Sequence, residues 1–76
     1  MPHVVVKLAA GRSPRQKAAI AAAVTRAIVS SAGVGEDAVS VAIEDVAPDA
    51  WAETVYRPEI LGKPDTLVKA PGYSLA

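Results

Sequence analysis

Cysteine is absent from this chain of 76 residues, and histidine occurs once, at His3. Disulfide staples are thereby excluded, and a metal site built from thiolates or paired imidazoles has no ligands to draw on. Phenylalanine is also missing, which leaves Trp51, Tyr56 and Tyr73 as the large aromatic side chains. Eight basic and eight acidic residues cancel to a net charge of zero. No basic run of the kind that phosphate backbones attract is present, so nucleic acid is not an expected partner. The apolar stretches fall far short of the ~20 residues that span a bilayer, and the N-terminus lacks the charged, apolar and cleavage regions of a signal peptide. A cytoplasmic protein without a membrane partner is the expectation.

What is abundant is small and apolar. Hydrophobic residues make up 51% of the chain against 21% charged, a ratio that one domain spanning residues 1–76 is too small to bury alone. With covalent and metallic staples excluded, association between copies is the expected reinforcement.

The run "VVVKL" at Val4–Leu8 is short and β-branched, the pattern of a strand with at least one buried face. "SPRQ" then supplies a helix start, with Ser13 as N-cap, Pro14 in the first turn and Gln16 closing a capping box. The spacing predicts a helix from Pro14 to about Ser31, with Ile20, Val24 and Ile28 forming an apolar stripe that Ala23 and Ala27 fill. Its other face is poor in charge, with Arg26 the one charged residue between Lys17 and Gly33. Small residues there permit close approach by another subunit. Gly33 and Gly35 suit the left-handed backbone that ends helices. "DAVSVAIEDV" then alternates, placing Val39, Val41 and Ile43 on one side and Ala38, Ser40, Ala42 and Glu44 on the other.

Strand, helix, strand makes a βαβ unit of the α/β class, with parallel strands joined by a crossover. Two parallel strands need more partners and covered faces, which again calls for a second copy. Beyond Val46, prolines 48, 58, 64 and 71 divide the chain. "PDAWAETVY" is expected to form one or two helical turns, and "PDTLVK" another. In the tail "APGYSLA", Pro71-Gly72 has turn chemistry, and the tyrosine after it is a possible anchor. Trp51, Leu61, Leu67 and Val68 are expected to pack on a neighbour.

Phosphate-binding glycine loops, nucleophile triads and metal-ligand spacings are all missing. Pro2, directly after the initiator methionine, is the exception. Methionine removal is favoured by small second residues, and it would expose a secondary amine at the head of a strand. An ordinary α-amino group titrates near 7.7 to 8.0, and burial beside a guanidinium favours its neutral, basic form. Such an amine can act as a general base near neutral pH.

Pro2, the strand behind it, "GRS" leading into "SPRQK", the second strand "VSVAIEDV" and Trp51 together resemble the 4-oxalocrotonate tautomerase family over residues 2 to about 55. "MPH", "QKAAIAAAVT", "VSVAIEDVAPDAW" and "KAPGYS" extend the resemblance over nearly the whole chain to a small dimeric branch of that family. The resemblance implies a tautomerase-type βαβ fold completed by oligomerisation, as a dimer or, as in shorter relatives, a hexamer. It implies a keto-enol isomerase of small carboxylic acids that needs no cofactor and no metal, with Pro2 shuttling the proton. Arg12 matches the family arginine that grips a carboxylate, and Trp51 an aromatic that walls the pocket. Ser40 stands where better-known members carry a second arginine, so the enolate must be stabilised by backbone amides, water, the Trp51 indole N–H or another side chain. Glu53 falls where a dehalogenase branch carries a water-activating carboxylate, which makes a hydratase or dehalogenase the alternative. A catalytically silent binding module is a further one. His3 is expected to pack or face solvent.

Overall fold

The computed structural model describes residues 1–75. A parallel pair of strands, β1 (His3–Ala9) and β2 (Ser40–Val46), flanks the long helix α1 (Pro14–Ala32) in chain order. This is the expected βαβ unit. Register runs from His3 opposite Ser40 to Ala9 opposite Val46, and Ala10 N–H extends the ladder by donating to the Val46 carbonyl at 2.8 Å. Each strand keeps an unpaired outer edge, because the sheet has only these two members among the described residues.

Helix α1 starts where local chemistry dictates. The Gln16 N–H donates to Ser13 Oγ at 3.1 Å, and the Ser13 N–H donates back to Gln16 Oε1 at 2.8 Å. Both halves of the capping box are therefore present, with Pro14 in the first turn. Gly33 closes the helix at φ 70°, whereas Gly35, expected to be equally left-handed, is extended at φ −77° because it opens a short 3₁₀ turn, Glu36–Ala38. A Lys17–Asp45 ion pair ties the first turns of α1 to β2.

The apolar stripe of α1 differs from its expected outline. Ile20, Val24 and Ile28 are half-buried, and so are Ala21, Thr25 and Val29, but Ala23 and Ala27 are exposed. The contact surface is thus rotated toward Ala21 and Val29, since the helix meets a two-stranded sheet along a narrow line. No residue of α1 is fully buried. Among the described residues, the buried apolar ones are Val46, Val55 and Tyr56, all at the end of β2 or beyond it. A groove of about 520 Å³ follows the charge-poor side of α1, with Arg26 and Glu36 at its margins.

After β2 the chain makes a 3₁₀ turn, Pro48–Ala50, and then a wide π-helix, Ala52–Leu61. This helix is longer than the one or two turns expected, because it continues through Pro58. Proline removes one N–H donor and crowds the preceding turn of an α-helix. The wider turn of a π-helix, bonded i to i+5, relaxes that crowding. "PDTLVK" forms only tight turns, in which Thr66 and Leu67 N–H donate to the Lys63 and Pro64 carbonyls at 3.2 and 3.3 Å. Leu61 and Val68 are exposed, Val68 completely. The chain bends at Gly72, as its turn chemistry predicted. Ala76, last in that tail, lies outside the described residues.

Candidate active site

The fold divides the candidate residues between the two ends of the sheet. Pro2 and Ser40 share one end, where the Ser40 N–H donates to the Pro2 carbonyl at 3.2 Å. The Ser40 hydroxyl is also 2.6 Å from His3 Nδ1. His3 is exposed, as expected, but it faces its cross-strand partner rather than solvent alone. Pro2 is half-buried, and Met1 in front of it is fully exposed.

Arg12 and Trp51 meet at the opposite end, in a cleft of about 440 Å³. Leu8, Ala9, Pro48 and Leu75 give it an apolar lining, and Lys7 and Tyr73 line it as well. Arg12 is set there by its neighbours in sequence. Gly11 takes φ 130°, a conformation that a side chain would strain, and Ser13 immediately begins α1. One guanidinium nitrogen, Nη1, donates to the Ala9 carbonyl at 2.9 Å. The remaining donors of the fork make no hydrogen bond among the described residues, and their planar geometry is of the kind that matches paired carboxylate oxygens.

Trp51 is half-buried, and its indole Nε1–H donates to the Tyr73 hydroxyl at 3.0 Å. The indole N–H, one of the several donors considered for the enolate, is thus engaged with Tyr73 here. Tyr73 in turn leans on buried Tyr56, with ring centroids 5.6 Å apart and planes inclined at 35°. The tyrosine does anchor the tail, and the anchored tail becomes a wall of the cleft.

Lys7 brings a second cation. It is paired with Glu59 of the π-helix, and this hydrogen bond, opposed by partial desolvation and aided by the charges of Glu59 and Glu44, holds the ammonium above the ordinary lysine value. The same bond to Lys7 holds the Glu59 carboxyl below the ordinary glutamate range. Lys7 is signalled in the sequence only as the one charge within "VVVKL". Tyr73 had a stronger signal, an aromatic fixed after a Pro-Gly turn. Glu53 is exposed and does not line the cleft. Among the described residues, no helix is long and apolar enough to cross a membrane.

The length of β1 separates the two groups of residues. Its seven residues, at about 3.3 Å each, span roughly 23 Å. The Arg12 cleft and Pro2 of the same chain therefore lie at opposite ends of that span.

A family model described as "Tautomerase enzyme" matches residues 2–56. A probable tautomerase of Xylella fastidiosa is 41% identical over 73 residues, covering 96% of this chain and 89% of that protein. Tautomerase PptA of Klebsiella pneumoniae is 41% identical over 76 residues, covering 99% of this chain and all of that one, at 100%. Among solved structures, TomN, described as a 4-oxalocrotonate tautomerase homologue in the tomaymycin biosynthetic pathway, superposes with a TM-score of 0.65. It is 31% identical, and the match covers 86% of this chain and 97% of TomN. The chain belongs to the tautomerase family. Membership places it among isomerase-type enzymes that act on small molecules.

Proposed function

We propose that the protein is a cofactor-independent keto-enol tautomerase of small enol acids, in which Pro2, freed by removal of Met1, is the general base and acid. The observation that carries the reading is the pairing of Arg12 with Trp51 in one cleft, a guanidinium beside an apolar wall, on a tautomerase fold whose first strand follows Pro2. In the enol-to-ketone direction, the prolinium gives a proton to the carbon beside the enol carbon while the enol O–H proton passes to water, and the neutral amine is then reprotonated from solvent. The reverse direction takes that carbon proton back onto the amine. The small residue behind Met1, Pro2, favours its removal. With one arginine and an aromatic wall, the cleft suits a monocarboxylic arylated enol such as phenylenolpyruvate better than a diacid.

Because Pro2 and Arg12 of one chain lie too far apart, the working site combines Pro2 and Ser40 of one copy with Arg12 and Trp51 of another. A two-fold axis that sets sheets antiparallel brings unlike ends together, so a homodimer is the smallest assembly that forms two such sites. Ser40, its hydroxyl paired with His3 Nδ1, brings no cation to the Pro2 end of the site.

Intact mass is expected to show a mature chain beginning at Pro2. Replacing Pro2 by alanine is then expected to lower kcat/KM for ketonisation of phenylenolpyruvate by about 10²- to 10⁴-fold. Equal rates for the two proteins, or full activity in a preparation that retains Met1, would remove Pro2 from the chemistry.

A further inference from the structure

We infer that Tyr73 is the oxygen-directed hydrogen-bond donor of the Arg12 cleft, serving the oxygen on the carbon next to the substrate carboxylate. Tryptophan Nε1–H can only donate, so the contact at 3.0 Å makes the Tyr73 hydroxyl its acceptor. The phenolic hydrogen is thereby directed elsewhere, and it has no acceptor among the described residues. Tyr73 lines the cleft together with Arg12. Its ring packs on that of Tyr56 and stays partly exposed.

The chain of donors has a chemical consequence. A hydroxyl that accepts a hydrogen bond becomes a stronger donor through its own hydrogen, so Trp51 polarises Tyr73 toward the cleft. A 2-enol acid presents two adjacent oxygen sites, a carboxylate with a full charge and an enol oxygen that gains charge only as the proton moves. The guanidinium of Arg12 matches the first. A neutral, preoriented donor matches the second, because its attraction grows with the developing charge and it raises no competing claim on the carboxylate. The phenol keeps its proton throughout. Tyr73 thus does what the serine at position 40 leaves undone, and Trp51 acts through Tyr73 as a positioning residue.

The assignment rests on reading the cleft as the acid-binding half of a tautomerase site, and its test separates the two. Tyr73→Phe preserves the ring against Tyr56 and removes only the hydroxyl. Since Trp51 is the sole tryptophan, intrinsic fluorescence reports both the docked tail and ligand binding. Two probes are titrated, phenylpyruvate, which carries the oxygen next to its carboxylate, and 3-phenylpropanoate, which lacks it. The variant is expected to bind phenylpyruvate about tenfold more weakly and 3-phenylpropanoate as wild type does. With phenylenolpyruvate as substrate, kcat is expected to fall about 100-fold with KM changed far less. Trp51→Phe is expected to reproduce part of the kcat loss while Tyr73 remains. Unchanged discrimination between the probes in Tyr73→Phe, or failure of wild type to prefer phenylpyruvate, overturns the assignment. A wild type that prefers phenylpyruvate through Tyr73 but does not ketonise the enol sustains Tyr73 and defeats the tautomerase reading instead.

Discussion

At the scale of single residues, the capping box shows how local chemistry sets a functional side chain. Ser13 and Gln16 exchange hydrogen bonds at the head of α1, and Arg12 is the residue just before them. Replacing Ser13 by alanine leaves the Gln16 N–H without its acceptor. The expected loss is about 1 kcal/mol of stability, read as a lower urea midpoint at unchanged slope. KM for the acid should rise as well, because the turn that aims Arg12 loosens. This cap was legible in four letters, "SPRQ", since every atom in it belongs to one turn. The Trp51–Tyr73 bond was not, for its partners are 22 residues apart and nothing in either local pattern names the other. The same limit hid the contact of His3 with Ser40 across the strands, at a separation of 37.

At the scale of elements, the strands and α1 follow from periodicity, whereas the π-helix contradicts a local rule. Pro58 was expected to divide the segment, yet burial of Val55 and Tyr56 holds the helix together across it. Packing outweighs propensity where a tertiary anchor is available. Lys7–Glu59 is the electrostatic link between that helix and β1, and it predicts a pH response with a definite sign. Glu59 has a lowered folded value, so its contribution is present above the ordinary glutamate range and is lost as pH falls through that range and below. Lys7 has a raised value, so its contribution is present below the ordinary lysine range and is lost only as pH rises beyond it. Glu59→Gln should therefore flatten the acid limb of the stability profile between pH 5 and 3, by a modest amount, because both partners remain partly exposed. Thermal melts of the two proteins across that range check it. An acid limb that is identical in the variant would assign the dependence to other carboxylates.

At the scale of the whole molecule, the shortage of a core is the main structural fact. Helix α1 has no fully buried residue, both sheet edges are open, and Val5, Leu61 and Val68 are exposed. Composition already pointed there, because a chain this short and apolar cannot cover itself. The division of the site between opposite ends of the sheet adds a functional reason for association. It also allows a test that needs no knowledge of the interface. Pro2→Ala and Arg12→Ala are each expected to keep only about 1% of wild-type activity or less as pure proteins. If every site takes Pro2 from one copy and Arg12 from another, mixing the two under exchange conditions restores sites in which both native residues meet. In a dimer, half of the molecules are mixed, and each has one intact site and one doubly damaged one. Activity should thus recover to about a quarter of the wild-type level, tracking the fraction of mixed dimers found by native mass spectrometry. No recovery despite demonstrated exchange would mean that Pro2 and Arg12 of the same chain serve the same site. Since β1 holds them roughly 23 Å apart, that result would require the first strand to leave its place beside β2.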